Sequence, residues 1–290
     1  MGEPDWLFAL TPEGAKRIDP VPPPDPFYSL YNPLKPGLYE AARTWSGGRI
    51  FRFEYHNRRM LAGCEATGLQ PSLDEAQLRR ALQQAMDAHP SDAIKLRWDL
   101  GPEPYRELGT DARMIATLTP LQELPDWLWS EGARVATTHE LVRRNPTTKG
   151  SAFAVERNRI SYGHRELWEP VLLSPEDYVL EGAQSNFGAF FEDRLFLPTR
   201  GVLPGITITT LLDLAEEDGI EVVRDPLPLD RAYAADEAFL CSSVRALVPI
   251  GHIDGRPVGT GHAGPRVAAL RARYLDYSWH NARRLFDELA

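Results

Sequence analysis

Lysine is nearly missing from this chain. Of 32 basic residues, only Lys16, Lys35, Lys95 and Lys149 are lysines, and arginine takes the rest. Any chemistry that needs a primary amine has very few side chains to draw on. Cysteine is scarcer still. Cys64 and Cys241 lie far apart and fit no thiolate metal site or C-x-x-C redox pair. They read as two free, buried thiols in a reducing cytoplasm. No apolar run approaches the roughly 20 residues that a membrane span needs. The opening "MGEPDWLFAL" carries early acids and lacks the basic-then-apolar pattern of a signal peptide, so a cytoplasmic location is expected. The histidines form no H-E-x-x-H or similar ligand pair, so no metal site is expected. No G-x-S-x-G elbow is present either. A net charge of −9 argues against nucleic acid or an anionic membrane as the main partner.

What remains is an ordinary globular composition: 43% hydrophobic and 25% charged residues. Its length of 290 residues suits two domains or one large one. Residues 1–36 hold "DPVPPPDPFYSLYNPLKP" and read as an irregular, proline-rich arm. From Gly37 the pattern turns strand-like. "GLYEAARTW" and "RIFRFEYH" flank an S-G-G turn and suggest a hairpin. "LDEAQLRRALQQAMDAH" is amphipathic at helical spacing, with Ser72 a candidate N-cap. "DAIKLRWDL" and "ARMIATLTP" read as strands. These elements define a small N-terminal domain over 37–118, and "LTPLQELPDW" supplies a linker over 119–126.

A large C-terminal domain over 127–290 follows. It reads as a strand ("GARVATTHE"), a helix around 151–167, a strand ("PVLLS") and a strand pair ("AFFEDRLFLPT"). A helix–strand unit, two further strands and a long closing helix from "PRVAALRARYLDYSWHNARRLFDELA" complete it. Strands and helices mixed with hairpins indicate an α+β or mixed α/β fold rather than a regular doubly wound sheet.

"GTGHAG" at 259–264 satisfies G-x-G-x-x-G, but only a helix follows it, so the second strand of a dinucleotide fold has no room. These glycines read as a turn before the last helix. "LPGITITTLL" is more telling. Glycine and β-branched residues open a helix poorly. A helix start nevertheless exposes unpaired N–H groups and the positive end of the macrodipole. Gly205, Ile206 and Thr207 can cradle a phosphate there, or Thr207 can merely cap the helix. Thr209 and Thr210 read as ordinary helix positions.

Three further segments bear on that choice. "NPTTKGSAF" sets Lys149 before a helix, "YVLEGAQSNFGAFF" sets Glu181 at a strand end with Ser185 and Asn186 in the turn, and "FRFEYHNRRM" sets Arg59 after a strand. The order is H-x-x-R, a lone Lys, E-G-x-x-S-N, L-x-G-I-T, and then "ADEAFLCSS" and "PIGHIDGRPVGTGHAGP". From Gly37 to the last helix, this resembles the fold type IV family of pyridoxal-phosphate enzymes. That family includes branched-chain aminotransferases, D-amino-acid aminotransferases and aminodeoxychorismate lyases. The resemblance implies a smaller N-terminal α/β domain and a larger C-terminal domain of mixed β structure, with pyridoxal 5′-phosphate between them.

The same resemblance assigns roles. Lys149 would form the Schiff base with the cofactor and then shuttle a proton. Glu181 would face the pyridine nitrogen, and Arg59 would pair with the phosphate. The amides of Ile206 and Thr207, beside Gly205 and with the Thr207 hydroxyl, would complete the phosphate site. Ser243 aligns with a residue touching both phosphate and substrate carboxylate, and Val244 lies beside it. Asn186 would hold a turn. Arg43, Lys95 and Arg97 are candidates for a substrate carboxylate.

The bare residues leave alternatives open. Lys149 could be a solvated loop lysine, Glu181 a strand-end acid and Ser243 a strand serine, and Arg58 could act in place of Arg59. The chain also departs from the family. Phe153 and Ala154 stand where many relatives carry a tyrosine, Ser242–Ser243 replaces Gly-Thr, and Leu34 falls at the active-site tyrosine. No R-G-x-x-x-R-x-H stretch is present. The expected activity is amino transfer between an amino acid or amine and a 2-oxo acid by a ping-pong mechanism. The alternative is an aminodeoxychorismate lyase that releases pyruvate, and a third reading is a relative without turnover. A homodimer is expected from the resemblance.

Overall fold

The computed structural model describes residues 5–19 and 27–287, so part of the proline-rich stretch lies outside the described residues. The chain clusters into two compact units. Unit 1 gathers Met1–Gln122, Thr148–Val155 and Trp279–Ala290, and unit 2 gathers Glu123–Thr147 and Glu156–Ser278.

Unit 1 opens with β1 (Trp6–Thr11) and β2 (Gly14–Ile18), an antiparallel hairpin. An irregular arm was expected here. Instead Leu7, Phe8, Ala9 and Leu10 are all buried. Both sides of β1 are covered, so its run of apolar residues lacks the alternation that marks a half-exposed strand. Then come β3 (Leu38–Trp45) and β4 (Arg49–Ile50), followed by α1 (Phe53–Thr67) and α2 (Glu75–Ala88). β5 (Ile94–Leu100) and β6 (Met114–Pro120) complete the unit's strands. The sheet order is β2-β1-β6-β5-β3-β4, antiparallel throughout. One face packs on α1 and α2 around Phe53, Leu82, Leu96 and Trp98.

Two local readings are corrected. "FRFEYH" alternates like a strand but is the start of α1. Phe53, His56, Asn57, Met60 and Cys64 are buried at helical spacing, and that longer period outweighs a short alternation. Arg59 therefore stands on a helix, not after a strand. The cap of α2 is Asp74 rather than Ser72. Its carboxylate accepts from Gln77 N at 2.8 Å, and Gln77 Oε1 accepts from Asp74 N at 3.0 Å. This reciprocal capping box leaves Leu73 free to bury.

Unit 2 runs α3 (Trp127–Ser130), β7 (Ala133–Thr138) and α4 (Ser151–Arg157), whose first residues belong to unit 1. Next are β8 (Glu169–Leu173), β9 (Tyr178–Gly182), β10 (Asn186–Phe191) and β11 (Arg194–Phe196). Then follow α5 (Ile206–Glu217), β12 (Glu221–Val223), β13 (Leu227–Pro228) and α6 (Leu229–Ala232). β14 (Glu237–Ser242), β15 (Ala246–Ile253), β16 (Arg256–Pro257) and α7 (Pro265–Asn281) end the fold. The main sheet order is β12-β11-β10-β14-β15-β7-β8-β9-β13. A further pairing of Asn186 with Glu181 joins β9 to β10, so six strands close into a ring. That ring encloses a core of Val135, Phe187, Ala189, Leu240 and Val248.

The helix expected around 151–167 stops at Arg157, whose Nη1 turns back to donate to the Ala183 carbonyl at 2.8 Å. The closing helix stops at Asn281, because Arg283 leaves it to pair with Ile50 through both backbone hydrogen bonds. "GTGHAG" is an irregular turn between β16 and α7, with no strand after it among the described residues. Cys64 and Cys241 are buried and free. Among the described residues, no helix is long and apolar enough to cross a membrane, and no group of three His, Cys, Asp or Glu side chains gathers as for a metal.

Candidate active site

In unit 1 the segment Thr148–Ser151 is tied to the start of β3. Lys149 O accepts from Tyr39 N at 3.0 Å, and Ser151 N donates to Gly37 O at 2.9 Å. Ser151 Oγ accepts from Gly37 N at 2.8 Å. Backbone bonds thus hold the Lys149 carbonyl and the residues just after it, which a solvated loop lysine does not need. Its Nζ lies 5.3 Å from the centre of the Tyr39 ring, in reach of a cation–π attraction.

Arg59 stands one turn beyond His56 on α1, and the i, i+3 spacing puts both on one face. Both reach Glu40. Arg59 Nε and Nη2 donate to Glu40 Oε1 and Oε2 at 2.7 and 2.6 Å. His56 Nδ1 lies 2.8 Å from Oε2, which fits the tautomer that carries its proton on Nδ1. Glu40 is fully buried. Burial works to raise the Glu40 pKa, but the charge and hydrogen bonds of Arg59 outweigh it, so the carboxyl lies well below its usual range. Burial lowers the pKa of His56 against the opposing pull of Glu40. Lys149 also lies within the electrostatic reach of Glu40. Sequence reasoning passed over Glu40, although a signal was there. It shares the inward face of β3 with Leu38 and Ala42, where a charge demands a partner.

The other face of β3 carries Tyr39, Arg43 and Trp45. Arg43 pairs in register with Lys95 on β5, and its guanidinium lies 4.4 Å from the Trp45 ring centre. Arg97 is more tightly committed. Its Nε and Nη2 donate to Asp99 at 2.9 and 2.6 Å, and its guanidinium lies between the rings of Tyr31 and Tyr39, at 3.8 and 4.2 Å. Burial works against its charge, and the Asp99 carboxylate outweighs that and raises the pKa.

In unit 2, Glu181 is almost wholly buried where β9 meets β10. Oε1 accepts from Arg143 Nε at 2.5 Å, and Oε2 accepts from Leu203 N at 3.0 Å and from Asn186 Nδ2 at 3.4 Å. Asn186 Nδ2 also donates to Leu203 O at 2.9 Å, so this residue does hold a turn, the one that leads into α5. At Gly205 a Cβ would sit 1.8 Å from Asn186 Oδ1, so only glycine fits there. Arg143, the clamp on Glu181, was not anticipated. Nothing in "LVRRNPTTKG" distinguishes it from Arg144.

Gly205 is the N-cap of α5, and no side chain caps the helix. Thr209 and Thr210 satisfy their own hydroxyls by donating to the carbonyls of Gly205 and Ile206, at 3.0 and 2.9 Å. Thr207 does not cap the helix: its Oγ1 lies 3.2 Å from the hydroxyl of Tyr274 on α7. Ser243 and Val244 lie in the turn from β14 to β15, and both are half-buried. A buried carboxylate, Glu169, steadies that turn. It accepts from Arg245 Nη2 at 2.7 Å, from Ser185 Oγ at 2.8 Å and from Gln184 N at 2.6 Å. Phe153 and Ala154 are buried, as apolar residues should be.

The family model for amino-transferase class IV matches residues 37–253. The chain belongs to the class IV aminotransferases. These enzymes are pyridoxal-phosphate-dependent. The chain is 24% identical over 263 residues to a branched-chain-amino-acid aminotransferase of Pseudomonas aeruginosa, covering 83% of each chain. It is also 24% identical to a D-alanine aminotransferase of Bacillus licheniformis, covering 79% of this chain and 83% of that one. The crystal structure of the Escherichia coli branched-chain amino acid aminotransferase superimposes with a TM-score of 0.77, at 18% identity, covering 99% of this chain and 100% of that one. For a class IV aminotransferase, the residues present suit the cofactor. They include an amine held by its backbone, a buried carboxylate for a ring nitrogen and an uncapped, buried helix start for a phosphate.

Proposed function

We propose that this class IV aminotransferase moves an amino group between an amino acid and a 2-oxo acid by two half-reactions of ping-pong type, with Lys149 as the catalytic residue. When bound, pyridoxal phosphate supplies the aldehyde that takes up the amino group and the ring that spreads the charge left by the departing α-proton. Lys149 Nζ moves that proton, and the backbone bonds around it fix where the amine starts. Glu181 would hold a proton on the ring nitrogen. Its oxygens are already oriented by Arg143, Leu203 N and Asn186, so the carboxylate needs no rearrangement to do so. Arg59, Gly205, Ile206, Thr207 and Ser243 are the residues proposed for the phosphate. Glu40 fixes the plane of the Arg59 guanidinium through two of its nitrogens.

For the substrate carboxylate, Arg43, Lys95 and Arg97 are the basic residues proposed, and Asp99 engages the Arg97 fork. Ser243 and Val244 would lie near the substrate carboxylate. Branched-chain L-amino acids and D-alanine, named for the relatives, are the first donors to test. We also propose a cytoplasmic location and a homodimer, and light scattering checks the second.

The observation that carries this reading is the tethered Lys149, one of only four lysines. Borohydride reduction of the loaded enzyme should fix the cofactor on the peptide holding Lys149. Label on Lys16, Lys35 or Lys95 instead would sink the assignment. Amino transfer to 2-oxoglutarate is the expected activity. Pyruvate released from aminodeoxychorismate with no amino acceptor present would replace it with the lyase reading.

A further inference from the structure

Thr207, at the uncapped start of α5, is a neutral donor among the residues proposed for the cofactor phosphate. We propose that Tyr274 is a positioning residue for the cofactor phosphate. Its hydroxyl donates to Thr207 Oγ1 and so turns the Thr207 proton toward the anion. This rests on the reading of the α5 start as the phosphate site.

The argument is one of proton counting. The two hydroxyls lie 3.2 Å apart, and both residues are buried, Thr207 at 1% and Tyr274 at 3% exposure. Each hydroxyl has one proton, so the pair has two polarities. If Thr207 donates to Tyr274, it shows only lone pairs at the helix start and repels an anion. If Tyr274 donates to Thr207, the Thr207 proton is released to the anion, and the chain of hydrogen bonds polarises in one direction. An anion at the uncapped start of α5 selects the second polarity. Thr209 and Thr210 cannot play this part, because their protons go to the Gly205 and Ile206 carbonyls. The helix supports the geometry. Val267, Leu270, Tyr274 and Ser278 form the buried stripe of α7, and Ser278 Oγ bonds back to Tyr274 O at 2.7 Å.

The test titrates the full-length apo-protein with pyridoxal phosphate and with pyridoxal, which lacks the phosphate, following absorbance. Tyr274→Phe should weaken pyridoxal phosphate roughly 3- to 10-fold and leave pyridoxal unchanged. In a Thr207→Val background it should add nothing. Equal losses for both ligands, or no loss for pyridoxal phosphate, would reduce Tyr274 to a packing residue and overturn the proposal. A normal phosphate-specific loss in Thr207→Val beside a flat Tyr274→Phe sinks the Tyr274 proposal alone. A flat ratio in Thr207→Val sinks the phosphate-site reading beneath it. Should Tyr274→Phe fail to fold, 3-fluorotyrosine at position 274 keeps the shape and strengthens the donor. It should raise the preference for pyridoxal phosphate about twofold, and an unchanged or lower preference overturns the proposal.

Discussion

Glu40 in unit 1 and Glu181 in unit 2 are both buried carboxylates that an arginine grips, yet the two are built from different material. In unit 1, Glu40 sits on a regular strand and its partners His56 and Arg59 on a regular helix. Its neighbours on that face, Leu38 and Ala42, belong to the apolar core. In unit 2, Glu181 ends a strand and is gripped by Arg143, the Leu203 amide and Asn186, which come from a loop, the lead-in to α5 and the start of β10. The first arrangement shares the stability of the elements that carry it. The second depends on segments with fewer fixed neighbours, where function-bearing groups commonly lie. On the proposed assignment, a buried acid is a structural member in one place and a chemical tool in the other, and burial alone does not distinguish them.

Mutations can break or sharpen that contrast. The largest effect should come from Lys149→Ala, which removes the proposed proton carrier. The rate of amino transfer should fall by at least about 10²- to 10⁴-fold, measured in single turnovers. The same variant should leave the unfolding midpoint close to that of the parent.

Next come the two acids. Glu40→Leu leaves Arg59 and His56 buried without their acceptor, and it should cost about 3–5 kcal/mol of stability in urea unfolding. Glu181→Gln keeps an acceptor oxygen for the Leu203 amide. It should lose less stability and far more turnover. Equal stability losses in the two variants would erase the distinction.

A smaller effect separates two threonines on α5. Thr207→Val should lower affinity for pyridoxal phosphate roughly tenfold. Thr210→Val removes only a bond to the Ile206 carbonyl and should leave that affinity unchanged. Equal losses at both positions would return "LPGITITTLL" to a merely awkward helix.

The smallest effect is a pH dependence. Burial holds the folded pKa of His56 below its ordinary value of about 6.5, so the unfolded chain binds its proton first as pH falls. Stability should therefore decline as pH drops below about 6.5, by at most about 1.4 kcal/mol per pH unit from this group. Glu40, whose folded pKa is lowered, adds its own loss only below its ordinary range near 4.5. His56→Gln should flatten the upper part of that profile in denaturant titrations run at several pH values.

Much of the proposed site can be read from the sequence because its residues follow a fixed order along the chain. Lys149 stood out through the scarcity of its type, and Gly205–Thr207 through a helix start that contradicts propensity. The longer strands of unit 2 were readable from their flanking turns, whereas the two-residue β13 and β16 were not. The hairpin Trp6–Ile18 was not, because strands buried on both sides lose the alternation that reveals them. Nor was α1, whose first residues mimic a strand. The partners that orient the site stayed hidden for another reason. Glu40, Arg143 and Tyr274 act across long gaps in sequence, and no local pattern ties Glu40 to Arg59 or Tyr274 to Thr207.

The lacing of Thr148–Ser151 to β3 joins residues 114 positions apart. A contact of such long range forms only after much of the loop-closure entropy has been met. The bonds that hold the Lys149 backbone are consequently absent from a nascent or half-folded chain, and they cannot form before residue 151 has emerged.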